Sequence, residues 1–182
     1  MKKTIFILTG PSGAGKTTLG YFLKDELGIP ELVSHTTRSM RSGEVEGISY
    51  YFVGKETFDK LEKIEYSNYA GNHYCVSKEE VERKLATHDS VFVITDMAGS
   101  NAIKRQYPDN VIQIFITADF LDLIARMDRR GDSADDILSR VKHLISNKEL
   151  NNGTYTDYTI INRSLDTAKE QLLNIVKQHR VH

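Results

Sequence analysis

The stretch Gly10-Pro11-Ser12-Gly13-Ala14-Gly15-Lys16-Thr17 fits the spacing G-x-x-x-x-G-K-[ST]. These residue types suit one task. Glycines let backbone N–H groups wrap closely around phosphate oxygens. A helix opening at Lys16 would turn its positive end toward the same oxygens. The Lys16 ammonium adds a point charge at the terminal phosphates, and the Thr17 hydroxyl offers a ligand to Mg²⁺. The expectation is a bound nucleoside triphosphate with magnesium. The motif does not name the phosphoryl acceptor: water, a protein and a small molecule all fit.

A second group of cations lies in SHTTRSMRSGE, Ser34 to Glu44, where Arg38 and Arg41 stand three apart in a stretch without a helical pattern. Alone, the pair reads as a solvated basic turn. Beside a triphosphate site it has a second reading. A kinase joining two phosphate-bearing molecules must offset the repulsion between two polyanions. A planar guanidinium grips phosphate oxygens through paired hydrogen bonds. Arg38 and Arg41 are therefore candidates to hold an acceptor phosphate, with the hydroxyls of Tyr50 and Tyr74 as neutral donors. An acceptor phosphate oxygen is already negative, so transfer to it needs no strong general base. No triad or acid/base pair stands out. A third group, Arg126 and Arg130, lies four apart on a predicted helix, with Arg140 beyond it. By periodicity these read as a solvated face laced with Asp122, Asp128, Asp135 and Asp136.

The elements that position these residues alternate. TIFILTG reads as a buried strand stopped by Gly10, and GKTTLGYFLKDELG as a helix stopped by Gly28. SVFVIT and NVIQIFIT are further strands, each ahead of a helical pattern, in AGSNAIKRQY and DFLDLIARMDRR. DYTIIN is another strand, and SLDTAKEQLLNIVKQH a last helix with Ser164 as N-cap. Ser133 is placed to cap the helix before Arg140. This order predicts an α/β fold with a parallel sheet covered by helices. From about Ser34 to His88 the rhythm breaks. ISYYFV and EYSNYAGNHYCV are strand-like, Gly71-Asn72 signals a hairpin turn, and Ser77 with Glu80 spells a capping box. A β-rich lobe over 34–88 is thus expected within a core of 1–33 and 89–182.

Composition narrows the setting. With 182 residues, 24 Lys+Arg and 25 Asp+Glu, the formal net charge is −1. That balance argues against broad nucleic-acid or membrane-surface binding. The N-terminal MKKTIFIL has the look of a secretory signal, but its apolar run is too short and breaks at Gly-Pro-Ser-Gly. No stretch is long enough to cross a bilayer. Cys75 is the only cysteine, which excludes an intrachain disulfide and fits a reducing cytoplasm. His35, His73 and His88 lack metal-site spacing. Assembly into homo-oligomers is left open.

Over nearly its whole length the chain resembles the guanylate kinase family. The matching stretches are GPSGAGKTTL, SHTTRSMRSGEVEGISYYFV, AGNHY, DMAG, RMDRRGDSADDILSR and DYTIIN. The resemblance implies a P-loop NTPase core, an acceptor-binding lobe and a mobile helical lid at about 126–142. It implies ATP, with Mg²⁺, as donor and GMP or dGMP as acceptor. The donor set would be Gly10 to Thr17 with Thr18 and Arg126. The GMP set would be Ser34, Arg38, Arg41, Tyr50, Glu65, Tyr74 and Asp96, with Glu65 reading the base. A carboxylate accepts from guanine N1–H and the N2 amino group, whereas adenine presents a bare acceptor at N1. Lys16, Arg41, Arg130 and Arg140 would be catalytic. The loop after Arg130 is one residue shorter than the family's usual spacing, so Arg129 competes for Arg130's role. Asn162 and Arg163 would lie near the adenine.

The family pattern also breaks in places. Cys75-Val76 stands where Gly-Thr or Gly-Ser is usual, removing a hydroxyl that would donate to guanine O6. Ile94 replaces the first acid of Asp-x-Asp, and Ala98 a glutamine. One missing neutral hydrogen bond is worth about 0.5–1.5 kcal/mol, up to roughly tenfold in affinity. Two alternatives follow: a kinase for another phosphorylated small molecule (a different nucleotide or a sugar phosphate), or a non-catalytic module using the acceptor lobe to hold a protein.

Overall fold

The computed structural model describes residues 3–69 and 71–180. Met1, Lys2, Val181 and His182, at the two ends of the expected core, lie outside the described residues, as does Ala70 of the AGNHY stretch.

β1 (Thr4–Thr9) is buried along its whole length. It pairs in parallel with β6 (Ser90–Ile94) on one side and β7 (Val111–Thr117) on the other, and β8 (Tyr158–Ile161) extends the sheet beyond β7. The order is β6-β1-β7-β8. Alternation along β1 explains its continuous hydrophobicity. Phe6 and Leu8 join one apolar cluster with Leu19, Ile116 and Leu172, while Ile5 and Ile7 join another with Ile64, Val76 and Ile103. Both faces are covered, as a parallel sheet requires.

After β1 the chain turns through Gly10–Gly15 into α1 (Lys16–Tyr21), which continues as a π-helical turn, Phe22–Glu26. The single helix expected here thus changes hydrogen-bonding register midway: Leu27 N–H donates to the Phe22 carbonyl at 3.3 Å. α4 (Met97–Gln106) follows β6 and α5 (Phe120–Arg129) follows β7. α6 (Ala134–Ser146) has Ser133 as N-cap, its hydroxyl accepting from Asp136 N–H at 3.2 Å. α7 (Leu165–His179) is capped the same way by Ser164. A 3₁₀ segment, Glu149–Tyr155, leads into β8 and was not foreseen.

The expected β-rich region forms a second sheet from β2 (His35–Thr36), β3 (Tyr51–Phe52), β4 (Lys63–Tyr69) and β5 (Asn72–Ser77). Its order is β3-β2-β5-β4. Two details differ from expectation. Tyr69 pairs with Asn72, so the hairpin turns one residue earlier than the Gly71-Asn72 signal. ISYYFV contributes only two strand residues, because Ile48 and Ser49 fold back through hydrogen bonds to the Val45 carbonyl. A short helix, α2 (Lys55–Lys60), joins β3 to β4.

α3 (Lys78–Thr87) begins at Ser77, whose hydroxyl accepts from Glu80 N–H at 3.2 Å. The return half of the expected capping box is not made. Glu80 instead reaches Val33 N–H at 3.1 Å, the Tyr51 hydroxyl at 3.2 Å and the Arg83 guanidinium. This buried carboxylate ties α3 to the segment that leads into β2 and, through Tyr51, to β3.

Candidate active site

The loop Gly10–Gly15 wraps the sheet's carboxyl end because its glycines adopt positive φ: 140° at Gly10, 82° at Gly13 and 97° at Gly15. At Gly10 a Cβ would lie inside the van der Waals envelope of the Ile116 carbonyl oxygen on β7. Gly10→Ala combines that clash with left-handed strain. It should lower unfolding stability by about 3 kcal/mol or more, read as a reduced urea midpoint.

The loop is braced from below by residues the motif does not include. Asn162, buried at the end of β8, donates its side-chain amide to the Ala14 carbonyl at 2.8 Å. Arg126 on α5 donates to the Asn162 carbonyl at 2.6 Å and to Gly13 at 3.5 Å. Asn162 is thus a prop of the loop, a role sequence reading did not give it. Arg163 lies outward, near Asp119.

Four charged side chains meet above the loop. The Lys16 ammonium donates to the Gly10 and Pro11 carbonyls at 2.6 and 2.9 Å. Burial lowers its pKa to about 8, with Glu149 opposing and Arg130 and Arg140 adding to the shift. Arg130 and Arg140 both reach the Ser12 hydroxyl, at 3.3 and 3.1 Å. Asp132 lies between them, accepting from Arg130 Nε at 2.9 Å and 3.7 Å from Arg140 Nε. Arg129 points elsewhere, to the Ala125 carbonyl, so Arg130 is the one at the loop despite the shortened spacing. A cleft of about 440 Å³ opens here, lined by Ser12, Lys16, Arg140, His143 and Glu149 among others. Glu149 and His143, 3.1 Å apart, escaped sequence reading because their segment carries no motif.

Across from this, a cleft of about 380 Å³ separates α1 from the second sheet. Thr17, Ser34, Tyr50 and Ile94 line it; Arg38, Arg41, Glu65, Tyr74 and Asp96 do not. The thirty-eight to seventy-four region forms its own group. Arg38 is gripped by both oxygens of Glu44, at 3.0 and 2.7 Å, and lies over the Tyr50 ring at 5.5 Å. Tyr74 faces Arg38, and its ring meets Tyr50 edge-on at 5.9 Å. Arg41 joins through its backbone N–H, which donates to Glu44 at 2.7 Å, leaving its exposed guanidinium unbonded among the described residues. Sequence reading gave Glu44 no role, although it organises both arginines.

Glu65 on β4 is 6% exposed. Burial and then the neighbouring Asp96 raise its pKa to about 7, against a backbone hydrogen bond from Val76. Asp96 caps α4, accepting from Gly99 N–H at 2.8 Å. Val76 is fully buried in the apolar cluster, so this wall offers no hydroxyl.

Among the described residues no group of three or more acidic, His or Cys side chains could hold a metal by itself. Thr17 is exposed at the loop's edge, beside Lys16, with no hydrogen bond from its hydroxyl among the described residues. That suits Mg²⁺, which is commonly held by few protein ligands plus phosphates and water.

Comparisons with known proteins show the family. The family model described as guanylate kinase matches residues 2–179. A guanylate kinase of Fusobacterium nucleatum subsp. nucleatum is 35% identical over 178 residues, covering 95% of each chain. One of Aromatoleum aromaticum is 33% identical, covering 100% of this chain and 91% of its own. The crystal structure of guanylate kinase from Anaplasma phagocytophilum superposes with a TM-score of 0.71 at 28% identity, covering 100% of this chain and 88% of that one. With phosphate-loop geometry, full-length coverage and identities above 30% in agreement, this chain belongs to the guanylate kinase family.

Proposed function

We propose that the chain transfers the γ-phosphoryl group of Mg·ATP to the phosphate of GMP or dGMP, releasing ADP and GDP or dGDP. The observation that carries this reading is the convergence of three cations on one loop: Arg130 and Arg140 on the Ser12 hydroxyl, and Lys16 on the adjoining Gly10 and Pro11 carbonyls. In-line transfer between two phosphates is mainly a matter of position and charge. The loop amides and Lys16 hold the donor's terminal phosphates. Arg130 and Arg140, both within the 126–142 lid, face the migrating group and stabilise its equatorial charge. Thr17 would hold Mg²⁺, which supplies further charge neutralisation when bound. The 34–88 lobe holds the acceptor, with Arg38, Arg41, Tyr50 and Tyr74 on the phosphate and Glu65 on the base. Ser34 and Asp96 complete that site.

Two features describe the setting. Among the described residues no helix is long and apolar enough to cross a membrane. The lone Cys75 is buried and its thiol is pushed up to about 12, first by burial, which fits a non-reactive residue in a reducing cytoplasm. Small-molecule substrates, and no nucleic acid, follow from the site's chemistry.

The direct test is ADP release with Mg·ATP and a panel of GMP, dGMP, AMP, CMP, UMP and a phosphorylated sugar. GMP-dependent turnover is expected; turnover only with the sugar phosphate would favour the alternative that the apolar Val76 and Ile94 suggest. Arg41→Met should raise KM for GMP about tenfold to a hundredfold, the worth of a charge-assisted hydrogen bond, and leave KM for ATP unchanged. An unaltered rate at low GMP would remove Arg41 from the site.

A further inference from the structure

We propose that Glu65 reads the acceptor purine in either of two protonation states, giving the chain a second, acid-favoured activity: phosphoryl transfer to AMP. The inference rests on the reading of Glu65 as the base-contacting residue.

Its basis is the way two carboxylates share one small space. A Cβ on Gly99 would stand 3.1 Å from Glu65 Oε2, and Gly99 N–H donates to Asp96 Oδ1 at 2.8 Å. Both acids therefore flank the same glycine. The groups facing Glu65 are Asp96 from the start of α4 and the Cys75 thiol from β5, which burial keeps neutral. No lysine, arginine or histidine among the described residues supplies a compensating charge to Glu65. A buried acid beside a like charge, with one backbone donor, retains a proton into the neutral range. The value of about 7 agrees with that geometry.

The consequence is chemical. An ionised carboxylate only accepts, so it matches guanine N1–H and the N2 amino group. A neutral carboxyl donates through O–H and accepts through C=O. That pair matches adenine, which accepts at N1 and donates from its N6 amino group. Discrimination against adenine would then need a second group that pairs only with guanine O6. Val76, fully buried, presents no such donor, and the Ser34 hydroxyl assigned to this site both donates and accepts, so it serves guanine O6 and the adenine amino group alike. The protonation state of Glu65 is therefore left to decide between the purines.

The experiment measures kcat/KM for GMP and for AMP at saturating Mg·ATP between about pH 5.5 and 8. The second phosphate ionisation, near pH 6, is common to both nucleotides and cancels in the ratio. The AMP-to-GMP ratio is expected to rise about tenfold for each unit fall in pH, following the ratio of protonated to ionised Glu65. Glu65→Gln, whose amide donates and accepts at every pH, should use AMP with a flat ratio and use GMP poorly. Asp96→Asn removes the neighbouring charge and should move the crossover to lower pH. Strong GMP turnover with a pH-independent ratio in the unaltered chain overturns this inference alone. Turnover of neither purine at any pH overturns the proposed function, and the inference with it.

Discussion

Replacing Lys16 with methionine is expected to cut turnover about a hundred- to a thousandfold while leaving a folded and more stable chain. The rate loss follows from removing one preorganised cation from a phosphoryl-transfer site, an effect of about 2.7–4 kcal/mol on the barrier in comparable deletions. The gain in stability has a separate origin. Lys16 falls from an ordinary 10.5 to about 8 because the fold buries its ammonium. Above pH 10.5 the amine is neutral in both folded and unfolded chains and costs nothing. As pH falls through 8 the folded chain must carry the buried charge, and the cost reaches about 3 kcal/mol. Methionine carries no such charge. Urea titrations should therefore place the variant above the parent at pH 7, with the difference shrinking toward about pH 10. ATP supplies the anion that the buried ammonium lacks, so nucleotide should stabilise the parent far more than the variant. Parental rates in Lys16→Met would remove the loop from the mechanism. Lower stability at pH 7 would remove the burial argument.

The phosphate loop was legible because its requirements are local. Gly10, Gly13 and Gly15 sit where positive φ and close backbone approach demand them, between a strand and a helix. The same holds for Ser133 and Ser164, whose capping bonds form within one helical turn. What escaped depends on distant chain segments. Glu80 has the spacing of a capping box, yet a buried Val33 N–H and the Tyr51 hydroxyl compete for its carboxylate and win. Asn162 became a prop for Ala14 only because β8 ends beneath the loop, 148 residues along the chain. Arg130 and Arg129 could not be separated by counting; α5 turns the first toward Ser12 and the second back along its own helix. Glu44 illustrates the intermediate case. It lies within the motif that suggested a phosphate grip, and it already fills Arg38's fork. An arriving phosphate must share or displace that carboxylate.

The second large effect is expected at Glu65, where stability and selectivity pull in opposite directions. The carboxyl rises from 4.5 to about 7, first through burial and then through Asp96. Below pH 4.5 it is protonated in both states and the fold bears no penalty. As pH rises through 7 the folded chain must ionise a buried acid beside another, and about 3 kcal/mol of stability is lost. Glu65→Gln removes that ionisation with little change of shape. It should therefore unfold at higher urea than the parent at pH 8, by up to about 3 kcal/mol, with the two converging below about pH 4.5. The same change should lower kcat/KM for GMP about a hundredfold, because a carboxylate's charge-assisted hydrogen bond is worth roughly 1.5–3 kcal/mol and the amide turns a donor toward guanine's own donors. A site selected for stability alone would favour the neutral side chain. Retention of an acid here makes physical sense if its charge is used on a substrate, and a variant that gains neither stability nor loses GMP turnover would sink that explanation.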